Sequence, residues 1–208
     1  MKSTDVWKYI HEERLQMADT WAVLTPEQWD AASWCPGWSV QDVAGHVVAA
    51  AEQTPWNFFR DMAKAGFKFD VFADRDAKRN AATGPEQLIR RLRARTTTTN
   101  HPPAPVVAML GEIIVHGEDM RRPLGMTHSA PEAALIAVAD SWKNSNILIG
   151  AKRRIAGLRL RATDSTWTHG EGPEVSGPLA SLVLSMSGRK GALSDLSGDG
   201  LRTLMARP

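Results

Sequence analysis

Glu112 and His116 stand four residues apart in a run that reads Pro-Val-Val-Ala-Met-Leu-Gly-Glu-Ile-Ile-Val-His-Gly-Glu-Asp from Pro105 to Asp119. On a helix that spacing aims a carboxylate and an imidazole in the same direction, the arrangement that lets two side chains ligate one metal ion. The same stripe holds Met109, Ile113 and Met120, so it faces an interior in which a carboxylate must be compensated or protonated. A third ligand type, His46, lies on a helix whose inward positions read Val43, Val47 and Ala50. Taken singly, His46 reads as a core histidine, and Glu112 with His116 reads as an ion pair along a helix. Taken together, His46, Glu112 and His116 form a three-ligand set of the catalytic zinc type, with one coordination position left for water or substrate.

These residues need helices to carry them, and the chain supplies them. Trp7, Ile10, Met17, Trp21 and Leu24 recur at helical spacing, predicting a first helix with one buried stripe. Thr25, Pro26 and Gln28 open a short helical turn that ends before Cys35. Ser39 and Asp42 make a capping box for the helix bearing His46, which the pattern continues toward 56–62 with a kink at Pro55. Residues 66–83 read as charged and irregular, and an arginine-rich helix then opens at Gly84 and closes at the threonines of 96–99. The Glu112 helix runs from near Pro105 to about Arg122, where Pro123 and Gly125 stop it. A further helix starts at Pro131 and passes through Leu135, Val138 and Trp142. Beyond it the period changes to two at 158–163, predicting a strand, with Trp167 closing a hairpin and a short helix over 176–187 capped by Ser176. The expected organisation is therefore mainly α: a metal-binding helical bundle over 1–152 and a small α+β region over 153–208, too short for a core of its own.

Composition limits the function classes. The 25 basic and 23 acidic residues nearly cancel, and the basic runs at 90–95 and 152–154 lack interleaved aromatics, so nucleic acid is not an expected partner. No apolar stretch reaches the length of a membrane span, and a single cysteine forms no internal disulfide, so the expectation is a cytoplasmic protein. That residue, Cys35, has no base or charge beside it in sequence and reads as a structural loop cysteine. Glu118 and Asp119 read as partners of Arg121 and Arg122, or as groups that orient the ligands.

Three stretches together carry a family resemblance. They are Leu24 through Ser-Trp-Cys-Pro-Gly-Trp-Ser-Val at 33–40 to His46, Glu112 through His-Gly-Glu-Asp-Met-Arg-Arg-Pro-Leu to Gly125, and the run from Ala162-Thr-Asp-Ser-Thr-Trp to Leu-Ser-Gly-Asp-Gly at 196–200. The chain resembles the mycothiol-dependent maleylpyruvate isomerase family over nearly its whole length. The resemblance implies a DinB-like four-helix bundle followed by a small C-terminal α+β region, and His46, Glu112 and His116 as ligands of a divalent metal. Zinc is the usual metal, and nickel, cobalt or iron suit the same donors. It also implies mycothiol as a thiol cosubstrate, a small electrophile as substrate, and Arg189 as the arginine that the C-terminal region brings to the reaction. The resulting expectation is an isomerase or an S-transferase acting as monomer or homodimer, set against a non-catalytic metal-binding module and a hydrolase using metal-bound water.

Overall fold

The computed structural model describes residues 2–147 and 149–208, and the chain divides into two compact units, 1–128 and 129–208. The fold class is the expected one, a mainly α four-helix bundle followed by an α+β region. The first unit contains α1 (Ser3–Trp21), α2 (Pro26–Asp30), α3 (Val40–Glu52), α4 (Pro55–Lys64), α5 (Phe69–Ala81), α6 (Pro85–Arg93) and α7 (Val106–Arg121). Both α1 and α3 pack on both α6 and α7, which places the four at the corners of a bundle. Their buried stripes fill it: Ile10, Met17 and Trp21 from α1, Val43 and Val47 from α3, Leu88 and Leu92 from α6, and Leu110, Ile113 and Ile114 from α7.

Residues 66–83 depart from expectation, because most of them form α5 instead of an irregular loop. Its apolar stripe is thin, with Phe72, Ala77 and Ala81 buried beside Asp76 and Asn80, so charge hides the helical period in sequence. Small residues let α5 lie directly on α3. A Cβ at Gly45 would sit 2.3 Å from the Ala77 carbonyl oxygen, so glycine is what permits the contact. The His46 helix also ends earlier than expected, at Glu52. Pro55 does not kink it but starts α4 at its first turn, capped by Thr54 and Asn57 in reciprocal hydrogen bonds.

The second unit contains α8 (Glu132–Trp142), α9 (Ala151–Ile155), β1 (Arg159–Ala162), β2 (Thr168–His169), β3 (Glu174–Gly177), α10 (Leu179–Met186), a 3-10 turn over Lys190–Asp195 and α11 (Leu201–Met205). The sheet order is β2-β1-β3, with β2 antiparallel to β1 in the expected hairpin and β3 parallel to it. Ser176 therefore belongs to a strand, where it pairs with Arg161, and is not a helix cap. The cap of α10 comes from a distance instead: Asp164 accepts from the Leu179 amide at 2.8 Å. Here α8 packs on α10, and the Trp167 indole donates to Asp140 of α8 at 3.0 Å. That helix, placed by its sequence in the region ending at 152, makes these contacts within residues 129–208.

Candidate functional site

The central pair of helices, α3 and α7, brings His46, Glu112 and His116 together. His46 Nε2 lies 3.5 Å from Glu112 Oε1, and the His46 and His116 rings meet edge to face with centroids 4.8 Å apart. All three side chains are mostly buried yet keep 15%, 25% and 14% of their surface, so the cluster is reachable from solvent. The Trp38 ring stands 5.2 Å from His46 and is held by its indole N–H donating to Asp74 of α5 at 3.0 Å. An aromatic wall thus rises beside the histidine, built on the helix that the sequence pattern obscured.

Glu112 has the compensation that its interior position demands. Arg14 of α1 is buried and lines the same small cavity as Glu112, together with Val47, Met109 and Ile113. Its guanidinium donates through Nη1 to the carbonyls of Arg95 and Thr98 at 2.8 and 3.0 Å. Burial pushes the Arg14 pKa down to about 10, and the Glu112 charge opposes that shift. Arg14 escaped sequence reasoning because nothing near it in the chain marks a buried cation. Its position on the apolar stripe of α1, between Ile10 and Met17, was the available signal.

His116 is held from its other side. Its Nδ1 lies 2.9 Å from Asp119 Oδ2, one turn along α7, and Asp119 is fully buried. Burial would push the imidazolium pKa down, but the Asp119 hydrogen bond and charge, with the Cys35 contact, outweigh it and raise it to about 10. Asp119 therefore orients a histidine, whereas Glu118 pairs with Arg122 at 2.7 Å as the sequence suggested. Cys35 was read as a loop cysteine without a polar neighbour, and the fold supplies one: its thiol donates to Asp119 Oδ2 at 3.1 Å and lies 3.6 Å from His116 Nδ1.

Donor spacing distinguishes two ways these residues could meet a cation. Atoms bound to zinc at about 2.0–2.3 Å in tetrahedral geometry lie about 3.3–3.6 Å apart. The 3.5 Å between His46 and Glu112 has that length and exceeds an ordinary hydrogen bond. Cys35, His116 Nδ1 and Asp119 also cluster within 4.8 Å of one another, but their 2.9 and 3.1 Å contacts are hydrogen-bond lengths. With Nδ1 engaged by Asp119, Nε2 is the nitrogen His116 has for a ligand. The two histidines and the carboxylate thus suit a divalent cation by donor type, and His46 and Glu112 also by spacing.

Arg189 lies in the second unit, immediately before the 3-10 turn. Its amide donates to the Leu184 carbonyl at 3.0 Å and its Nη1 to the Ser187 carbonyl at 3.3 Å. Arg154, Lys190 and Arg207 line the same small recess.

Comparison with known proteins follows this geometry. Residues 10–106 match the family described as the mycothiol maleylpyruvate isomerase N-terminal domain. Crystal structures of the mycothiol-dependent maleylpyruvate isomerase and of a histidine-to-alanine mutant of it share the fold, each with a TM-score of 0.66, 14% identity and coverage of 96% of this chain and 93% of theirs. No curated protein matches the chain. Residues 10–106 are thus similar to the N-terminal domain of the mycothiol maleylpyruvate isomerases, and the chain shares the fold of the solved maleylpyruvate isomerase over nearly its full length.

Proposed function

We propose that this protein is a mycothiol-dependent metalloenzyme that adds a thiolate to a small electrophile, as an isomerase or an S-transferase. The observation that carries the reading is the convergence of His46, which lies within the stretch matched to this family, with Glu112 and His116 of the helix that follows that stretch. These three residues would hold a divalent metal, zinc first among the candidates. When bound, such a metal lowers the pKa of a coordinated thiol and makes thiolate available near neutral pH.

The residues around it have separate tasks. Asp119 keeps the His116 proton on Nδ1, Arg14 sets a positive charge near Glu112, and Trp38 shields one side of His46 from water. The cosubstrate sulfur adds to an activated carbon–carbon double bond, forming a C–S bond while the electron pair moves onto the substrate oxygen. The former double bond rotates as a single bond, and elimination restores it and releases the thiolate. Protonation of the adduct instead of elimination leaves the thiol transferred. We assign to Arg189 the task of meeting the developing oxygen charge, on the strength of the family resemblance. The reaction suits a cytoplasmic setting in which the thiol is kept reduced.

Turnover of a maleylpyruvate-type cis-enone, followed with and without mycothiol on metal-loaded protein, is the test. Isomerisation that needs both metal and thiol supports the reading. Turnover without thiol points to hydrolysis by metal-bound water, and metal binding without turnover of any electrophile leaves a binding module.

A further inference from the structure

Cys35 reaches the site by a route that no pattern in the chain announces. The turn over 33–38 is cross-linked by the Ser33 hydroxyl, which donates to the Trp38 carbonyl at 2.8 Å and accepts from the Cys35 amide at 3.1 Å. The Trp34 amide then donates to the Asp119 carbonyl at 2.9 Å, tying the turn to α7. These bonds set the Cys35 thiol 3.1 Å from the same Asp119 oxygen that engages His116.

We infer that Cys35 is a positioning residue for the metal centre, holding Asp119 so that His116 keeps its Nδ1 proton and presents Nε2. This rests on the ligand set proposed above. The thiol adds a weak S–H hydrogen bond on the same Asp119 oxygen that engages His116, and two donors on one oxygen fix the carboxylate's orientation more closely than one. The competing role, Cys35 as a ligand alongside Asp119 and His116, conflicts with the short contacts, because shared ligands of one ion stand farther apart than hydrogen-bonded atoms. A sulfur–metal bond has an absorption that a hydrogen-bonded thiol lacks, and that makes the distinction measurable.

Cobalt(II) is the probe, added to the purified full chain without mycothiol and compared among the parent, Cys35→Ala, Cys35→Ser and Asp119→Ala. The parent and all three variants are expected to lack sulfur-to-cobalt charge transfer in the near ultraviolet. Chelator competition should show Asp119→Ala weakened by about 10–100-fold, the usual cost of losing an outer partner of a metal-bound histidine. Cys35→Ala should lose less, about threefold to tenfold, with a shifted ligand-field spectrum, because a thiol is a weak donor. Cys35→Ser, which keeps a donor, should recover most of that loss. A charge-transfer band in the parent that disappears in Cys35→Ala would make Cys35 a ligand and overturn the inference. So would a Cys35→Ala protein with parental affinity and spectrum. A parent that binds no cobalt removes the metal reading itself, whereas cobalt binding indifferent to Cys35 removes only the positioning role.

Discussion

Among the described residues, the two units bury different kinds of polarity. Residues 1–128 bury Glu13, Arg14, Asp61, Asp76, Glu118, Asp119 and Arg121, whereas the polar side chains buried in residues 129–208 are Ser176, Ser181, Ser185 and Ser187. Two of those serines are satisfied by the turn just before them, Ser185 by the Leu182 carbonyl and Ser187, at the end of α10, by the Leu184 carbonyl, both at 2.7 Å. Some of the buried charges of the first unit reach across the chain instead, Glu13 to His128 and Arg14 to the carbonyls of Arg95 and Thr98, while Glu118 and Asp119 pair within one turn of α7. A hydroxyl costs little to bury because the adjacent turn accepts its hydrogen bond, while a buried charge needs a charged or strongly polar partner. Two of these buried charges, Arg14 and Asp119, stand beside the candidate site, which fits a region built for chemistry around a conventional apolar scaffold.

The sharpest way to break this contrast is Glu112→Ala. If the buried charge of the first unit serves a metal, purified Glu112→Ala protein should contain far less than one equivalent and show no thiol-dependent turnover, by elemental analysis and activity. Stoichiometric metal in that variant would return Glu112 to an ordinary ion pair. In the second unit Leu182 is fully buried on α10, and Leu182→Ala should cost about 2–5 kcal/mol of stability by chemical denaturation. Metal content should be unchanged below the transition, since this residue belongs to the apolar scaffold.

Arg189→Ala crosses the contrast, being a charge in the serine-buffered unit assigned to catalysis. It should keep its metal and lose turnover by about ten- to thousandfold, the range for one oxyanion partner, in steady-state kinetics. Unchanged turnover would leave the chemistry wholly to other residues.

A more gradual effect follows from His116. Its folded pKa, raised to about 10, lies above the ordinary 6.5, so the stability it contributes is complete below about pH 6.5 and is lost as pH rises toward 10. The melting temperature of metal-free protein should therefore decline across that window, and His116→Asn should flatten the slope. The smallest effect belongs to exposed charge: Lys8 and Glu12 form a 3.9 Å pair in water, and Lys8→Ala should change stability by no more than about 0.5 kcal/mol.

Much of the bundle was legible because its signals are local. Thr25 and Ser39 cap the helices they were expected to cap, and the apolar stripes of α1, α3 and α7 are the buried ones. Where the pattern failed, the information was not local. The α5 helix hides its period because its contact with α3 uses alanine and glycine instead of large apolar side chains. The β3 strand was mistaken for the start of a helix because a parallel partner distant in sequence overrides the local preference for a serine cap.

By itself the sequence determined the mainly α class, the spacing that puts Glu112 and His116 on one helix face, and the family to which residues 10–106 match. Each of these depends on residue type and periodicity along a single stretch of chain. Only the tertiary structure decided that His46 reaches Glu112 from another helix, that Arg14 supplies a neighbouring positive charge, and that Cys35 hydrogen-bonds to the carboxylate behind His116. Those relations join residues many positions apart, and their energies depend on burial and on distances that are set when helices pack, which no local pattern encodes.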